Sequence, residues 1–478
     1  MGEILEEKCG VCLAYSLHDV YSMMKSLQHR GRGAAGIAAI SKNRIDVIKW
    51  SGIVNSFDIN DMYKIFPATN HYHFFMGHVR YPTKGKIDNT FQDAHPHVIG
   101  GNTHERNDHL LITNCEMAII HNGQINERYF ENLNRKEIKT ECDSALLLHY
   151  YAQYGEIEIQ KNIPGAYTLA IADKKRENVI VMRDRTGIKP GSIGWKDGKY
   201  QMASEDRAFL ENGGRLVKEM KPGDIYYFDI NGTFKRVNVT DQKLKFCFFE
   251  PNYLAHHEST FNGASVNSIR NALGERLGVE FIQKFRGEKI DYVSYLPRCP
   301  EPAARGFSRV TDIPFEEVFY KIRAERSFQG PNPQERTNSI KRNLNLTPRA
   351  IEILPEKAIV IVDDSIIRGT NVKKAKELLY EEAKAKKVFF VSYTPPIGII
   401  GQDKEERGCE YGVDMPKNDT FIIRNEKENR NKTIEELSEE IGIEVFYISE
   451  QGMKSVHKRF GLNPKKMCYY CIGGEKPF

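Results

Sequence analysis

The sequence predicts two domains of different fold class: α+β on antiparallel sheet over residues 9–240, then α/β on parallel sheet from residue 241. Three observations carry this. At 478 residues the chain is longer than one hydrophobic core ordinarily serves. Its first half sets short β-branched runs between Gly, Asn and Asp turns, as antiparallel strands require. Its second half alternates apolar strands with helix-spaced segments, which favours a parallel sheet.

Taken in order, residues 1–8 read as an acidic leader and residues 9–240 as the first domain. MAIIHNGQI (117–125), AYTLAIAD (166–173) and NVIVMRD (178–184) are its clearest strands. Residues 241–440 form the second domain, with strands KAIVIVDD (357–364) and KVFFVSY (387–393). Between these, Val372, Ala375, Leu378, Leu379 and Ala383 fall at helical spacing, so the stretch reads strand, loop, helix, strand. The charged run 376–387 is the solvated face of that helix, and residues 417–440 are polar enough for surface loop and helix. Residues 441–478 form a C-terminal segment carrying CYYC.

Hydrophobic residues make up 40% and charged residues 28%, which excludes a largely disordered or fibrous chain. A net charge of +5 is too small for a nucleic-acid-binding field and leaves anionic small molecules as partners. No apolar run approaches the roughly 18 residues of a membrane span, and the start MGEILEEK is acidic where a secretory signal is basic. A cytoplasmic protein is expected, with neither nucleic acid nor membrane as partner. Nine cysteines without framework spacing argue against a secreted disulfide scaffold and for chemical or metal-binding roles.

Cys9 opens CGVCLAY directly behind the acidic leader. Exposed by cleavage after Lys8, it would carry its own α-amine, whose pKa near 8 suits a general base. On this fragment alone, a small buried residue at the start of a strand is the simpler account. A lone HNG is likewise a hairpin turn, and a lone Arg or Asp a solvated charge. Two His-x-His pairs, His71 with His73 and His95 with His97, lack a matching acid or thiol pattern, so ordinary polar roles explain them.

The motifs nevertheless form an ordered set. CGV, LQHRGRGAAGIAAI (27–40), GHVRYPTKG (77–85), IIHNGQI (119–125), ECDSALLL (141–148) and RDRTGIKP (183–190) resemble those of the glutamine phosphoribosylpyrophosphate (PRPP) amidotransferases. The resemblance covers nearly the whole chain. It implies an αββα N-terminal-nucleophile hydrolase sandwich with class II glutamine amidotransferase activity. Residue by residue it implies Cys9 as the nucleophile that attacks the glutamine carboxamide, giving a γ-glutamyl thioester and ammonia. Asn122 and Gly123 match the oxyanion hole. Arg80 matches the bidentate clamp on the α-carboxylate, and Asp143 the partner of the α-amine.

In the second domain, KAIVIVDDSIIRGTNV (357–372) sets Asp363 and Asp364 at the carboxyl end of an apolar strand, ahead of a Ser-, Gly- and Thr-containing loop and a helix. Ligands of open α/β sheets bind at such strand ends. The loop and helix N-terminus suit a phosphate, and the carboxylates suit ribose hydroxyls. An Asp-rich helix entry with capping Asp and Ser is the plain alternative. DDSIIRGT also resembles the family's type I phosphoribosyltransferase motif, which implies that Asp363, Asp364, Ser365, Arg368, Gly369 and Thr370 bind PRPP, with Arg326 from a flap. The implied reaction places ammonia on C1 of PRPP to give 5-phosphoribosylamine, the first committed step of purine synthesis. Magnesium would neutralise the departing diphosphate. A homotetramer inhibited by purine nucleotides is implied as well.

The chain departs from the family at several places. YLPRCPEPAARG (295–306) replaces a small hydroxyl-bearing diphosphate loop, and KIRAERSF (321–328) is a shortened flap without its tyrosine. Asn343 replaces a lysine, Pro82 a serine, and AHPHV (94–98) the usual Ala-Gln-Pro-Phe. These changes motivate a rival reading, a diverged paralogue that binds PRPP or nucleotides in a regulatory role. Another class II amidotransferase is a second rival, against which DDSIIRGT speaks. Cys468 and Cys471 in CYYC have a spacing shared by soft metal ions and iron–sulfur clusters. Cys247 and Cys409 fall where the cluster-containing branch of the family, which also has a cleaved leader, places its other ligands. That branch implies one [4Fe–4S] cluster on these four cysteines, with structural zinc as the alternative.

Overall fold

The computed structural model describes residues 9–80, 93–133, 138, 142–321, 344–413 and 415–478. The chain divides into two compact units, Met1–Cys247 with Glu410–Asp414 and Pro477–Phe478, and Phe248–Cys409 with Met415–Lys476. The division thus falls at Cys247 rather than at residue 240. Nor do residues 441–476 stand apart, because Glu444–Tyr447 is a strand of the second unit's sheet.

In the first unit the site is carried by β1 (Gly10–Ala14), β2 (Phe74–Arg80), β3 (His97–Ile99), β4 (Met117–Ile125), β5 (Gly165–Asp173) and β6 (Lys199–Ala203), with helices α1 (Leu17–Ser26) and α2 (Asp143–Asn162). A nine-stranded sheet places β1 between β6 and β2, and a six-stranded sheet places β4 between β5 and β3. The pairs among these strands are antiparallel. Strand alternation explains the layers, because successive side chains leave opposite faces. Val11 and Leu13 of β1 join Ala118 and Ile120 of β4 in a core between the sheets. Cys12 and Ala14 pack with Leu17, Val20 and Met24 of α1 on one outer face. Ile119 packs with Leu146, Leu147 and Tyr151 of α2 on the other. Helix, sheet, sheet, helix is therefore the order of layers.

The second unit is built on four parallel strands in chain order, β7 (Tyr292–Tyr295), β8 (Ala358–Asp363), β9 (Lys387–Ser392) and β10 (Glu444–Tyr447). β8 is buried along its whole length, as its unbroken apolar run requires. Helices α3 (Val266–Lys284) and α4 (Glu301–Thr311) pack so closely that a Cβ on Gly274 would stand 1.8 Å from Ala303 O. Phe281 of α3 meets Phe307, Phe389 and Phe446 at ring centroids 5.3–6.0 Å apart, tying both helices to the sheet. No helix among the described residues is long and apolar enough to cross a membrane.

Candidate active sites

The alternation that builds the first unit's core also aims its chemistry. In β1 the row Val11, Leu13 faces the other sheet, and Cys9 continues that row. In β2, Phe74 and Met76 face inward, and the row runs on to His78 and Arg80. In β4, Ala118 and Ile120 lead to Asn122. The pairing Gly10 with Val79 sets Cys9 opposite Arg80. Cys9 and Asn122 are both fully buried.

Ser204, just beyond β6, ties these rows together. Its Oγ accepts from Val11 N at 3.0 Å and from Asn122 Nδ2 at 3.4 Å. Arg30 donates from Nε to Cys9 O at 3.0 Å and is ion-paired with buried Glu205, which also meets His29 Nε2 at 2.8 Å. Asn122 and Gly123 pair with Thr168 and Tyr167 inside β4 and β5, so HNG is mid-strand and not a hairpin turn. A Cβ at Gly123 would lie 2.2 Å from Ala166 O, so only glycine fits this backbone approach.

The opposite face of β4 carries His121 toward α2. Its Nδ1 lies 2.8 Å from Ser144 Oγ, and Ser144 donates to Asp143 Oδ1 at 3.2 Å. Asp143 Oδ2 accepts from Ile125 N at 2.9 Å. Asp143 is the first residue of α2. Its side chain keeps 16% of its surface exposed, so a ligand can reach it. Arg80, almost buried, lies 4.0 Å from Asp93 Oδ2. A thiol with a guanidinium opposite it in the strand register suits an amino acid with a carboxamide to be attacked.

Burial sets the protonation of the imidazoles around this end. Loss of hydration pushes His78 down to about 3, and His95 and His97 lie far below the ordinary histidine range, lowered further by neighbouring cationic groups. His121 is lowered too, with Asp143 partly offsetting burial. Burial also brings Lys49 down to about 8. His78 and His95 stack with centroids 4.0 Å apart, and neither ring nitrogen of His95 has a hydrogen-bond partner among the described residues. His95 is thus a buried imidazole without such a partner, whereas His97 keeps a polar one in Cys142 Sγ at 3.3 Å.

At the end of β8, Asp363 and Asp364 are both buried. Asp363 Oδ1 accepts from Asp364 N at 3.0 Å, Ser365 Oγ donates to Asp364 Oδ1 at 2.9 Å, and Ser392 Oγ donates to Asp364 O at 3.2 Å. Burial raises the Asp363 carboxyl well above the usual range, and the charge of Asp364 raises it further. Lys321 faces the pair; burial lowers its ammonium while Asp363 pushes it back up. Helix α5 (Thr370–Glu377) begins behind Gly369 at φ +76° with no side-chain cap, so the aspartates are not capping residues. A Cβ at Gly369 would meet Ile422 Cδ1 at 2.2 Å. Arg368 is ion-paired with Asp419.

Cys409, Cys468 and Cys471 are buried in the second unit, and Cys247 closes the first. Arg407 lies 5.1 Å over the ring of Tyr470, which brings the segment before Cys409 against CYYC, and Gly398 N donates to Cys471 O at 2.8 Å. Arg326, Pro82, Asn343, the leader and most of the shortened flap lie outside the described residues. Ser204, Glu205 and Ser144 are site residues that sequence reasoning missed. ASED (203–206) carries no local signature, and only strand register brings it beside Cys9.

Residues 99–232 match the family described as glutamine amidotransferase domain. The chain is similar to the amidophosphoribosyltransferase of Haemophilus influenzae, 29% identical over 89% of this chain and 83% of the relative. It is 27% identical to that of Methanothermobacter thermautotrophicus, over 99% of this chain and 95% of the relative. Its fold matches the glutamine PRPP amidotransferase of B. subtilis complexed with ADP and GMP, with a TM-score of 0.77 and 25% identity over 98% of this chain and 97% of that one.

Proposed function

We infer that this chain is an amidophosphoribosyltransferase, which hydrolyses glutamine in its first unit and places the ammonia on C1 of PRPP in its second. The observation that carries the reading is that Ser204 ties Val11, two residues after Cys9, to Asn122, on a chain that also sets Asp363 and Asp364 at a parallel strand end. Removal of residues 1–8 would give Cys9 an α-amine to take its thiol proton. The thiolate attacks the carboxamide carbon, and Asn122 Nδ2 and Gly123 N–H meet the oxyanion. Collapse expels ammonia, and water then releases glutamate from the thioester. Arg80 holds the α-carboxylate and Asp143 the α-amine.

Asp363 and Asp364 accept from ribose hydroxyls, and Ser365, Arg368, Gly369 and Thr370 hold the 5-phosphate with Arg326 from the flap. Ammonia forms a bond to C1 as the bond to diphosphate breaks. Magnesium, when bound, neutralises that diphosphate, and the buried like-charged pair suits a nearby cation. Cys247, Cys409, Cys468 and Cys471 would hold a [4Fe–4S] cluster; an all-thiolate donor set suits it, and zinc remains the alternative. By likeness to the B. subtilis enzyme complexed with ADP and GMP, purine-nucleotide binding is expected, and the motif resemblance adds a homotetramer.

Anaerobically purified protein should convert glutamine and PRPP to glutamate and diphosphate in equal amounts. PRPP binding without glutamine-dependent turnover would replace this reading with the regulatory one. Brown protein with about four irons per chain supports the cluster; colourless protein with one zinc selects zinc.

A further inference from the structure

We propose that Cys142 Sγ and His97 Nε2 form a binding site for a soft divalent cation, zinc by its chemistry, beside the glutamine pocket. The two atoms are 3.3 Å apart. Tetrahedral zinc with its usual bonds to sulfur and nitrogen sets such a pair about 3.6 Å apart, so a shift of a few tenths of an ångström admits the ion. Zinc takes the place of the proton shared by thiol and imidazole, and that proton leaves to solvent. His97 is buried, with its Nε2 turned to the Cys142 thiol.

A second observation points the same way. His95 is fully buried, neither of its ring nitrogens has a partner among the described residues, and its ring stands edge-on to His97 with centroids 4.5 Å apart. An orphaned buried imidazole is costly unless something coordinates or hydrogen-bonds it. Ring rotation would offer its nitrogen to the same ion. Both histidines belong to AHPHV, the segment in which this chain departs from Ala-Gln-Pro-Phe.

The position gives the site a consequence. Cys142 caps α2 directly before Asp143, and its Sγ lies 3.9 Å from Asp143 Oδ1. A cation there draws that carboxylate away from the ammonium group of glutamine. This consequence rests on the proposed role of Asp143, whereas the cation site does not.

Cobalt(II) is the probe that separates the two. In Cys9→Ala holoenzyme it should give a thiolate-to-cobalt charge-transfer band that is lost in the Cys9→Ala/Cys142→Ser variant and weakened by His97→Gln. The remaining cysteines are common to these proteins and cancel in the difference spectrum. In the enzyme with Cys9 intact, micromolar zinc should raise the KM for glutamine at least tenfold while ammonia-dependent transfer is unchanged, and Cys142→Ser should be insensitive. An equal cobalt band with and without Cys142 overturns the site. A Cys142-dependent band without any effect on glutamine kinetics keeps the site and overturns the role of Asp143.

Discussion

At the glutamine end Asp143 divides its oxygens between Ser144 Oγ and Ile125 N, whereas at the transferase end Asp363 and Asp364 are adjacent carboxylates in a buried strand terminus. The first arrangement satisfies its charge before any ligand arrives. The second leaves like charges side by side, and Asp363 is raised because neither water nor a counter-charge fully compensates it. The proposed glutamine site is therefore preorganised by the fold, and the proposed PRPP site is completed by what it binds.

The sharpest way to separate the two regions is Cys9→Ala. Glutamine-dependent turnover should fall by at least about 10⁴-fold, as loss of a nucleophile does, while ammonia-dependent transfer persists because ammonia bypasses the thioester. Loss of both activities together would break the division of labour. Intact mass of active protein should begin at Cys9, and full glutaminase activity in a chain still carrying Met1 would remove the α-amine from the mechanism.

Acid should separate them next. His78, His95, His97 and His121 have lowered folded pKa values, so the stability they lend is present above 6.5 and is lost as pH falls below it. At pH 5.5 His78, pushed down to about 3, costs roughly 1.4 kcal/mol, and the other three act in the same direction. In the second unit His457, lowered to about 3 by burial, acts in the same direction. Asp363, raised, acts oppositely: its penalty is full above its folded pKa and relieved as pH falls toward 3.8. Hydrogen exchange, corrected for intrinsic rates, should show β4 and β5 losing protection between pH 7.5 and 5.5 before β8 does. Simultaneous loss in both units would mean that the buried imidazoles do not set the acid limit.

Asp364→Asn probes the unfinished site alone. It removes a charged acceptor from ribose hydroxyls, a loss of about 1.5–3 kcal/mol, or about ten- to a hundredfold in PRPP affinity. Calorimetry with PRPP and magnesium reads this directly, and equal affinity in both proteins would mean that the strand end has lost its ligand.

The same contrast explains what the sequence made legible. DDSIIRGT could be read because strand, loop and helix follow one another along the chain, so the whole of the proposed phosphate and ribose site is local. Cys9, Arg80, Asn122 and Asp143 were readable only as an ordered set of motifs. The placement of Cys9 opposite Arg80, and of Asn122 in the facing sheet, depends on antiparallel register, which no single fragment encodes. Ser204 and Glu205 were invisible for the same reason, being neighbours of β1 by pairing alone. Cys142 with His97 escaped notice because the histidine pairs were weighed as His-x-His, while the partner of His97 lies 45 residues along the chain at a helix cap.

The smallest expected effect tests how finely the glutamine site is preorganised. Ser204→Ala removes the acceptor of both Val11 N and Asn122 Nδ2. Two buried donors then lose a partner, at a cost of about 1–3 kcal/mol each if no water replaces the hydroxyl. Part of that cost appears as stability, because Val11 N anchors β1. The rest should appear in catalysis, because Ser204 occupies one amide hydrogen of Asn122 and so orients the other toward an oxyanion. Ser144 Oγ and Ile125 N hold Asp143 independently, and none of the contacts of Ser204 described above involves Arg80. Glutamine binding should therefore be little altered: kcat for glutamine hydrolysis should drop about tenfold, equivalent to roughly 1.4 kcal/mol of transition-state stabilisation, with KM unchanged. A raised KM at unchanged kcat would place Ser204 in the substrate pocket. No change in either would mean that Asn122 is oriented without it, and that the link Ser204 makes between β1 and β4 serves packing rather than catalysis.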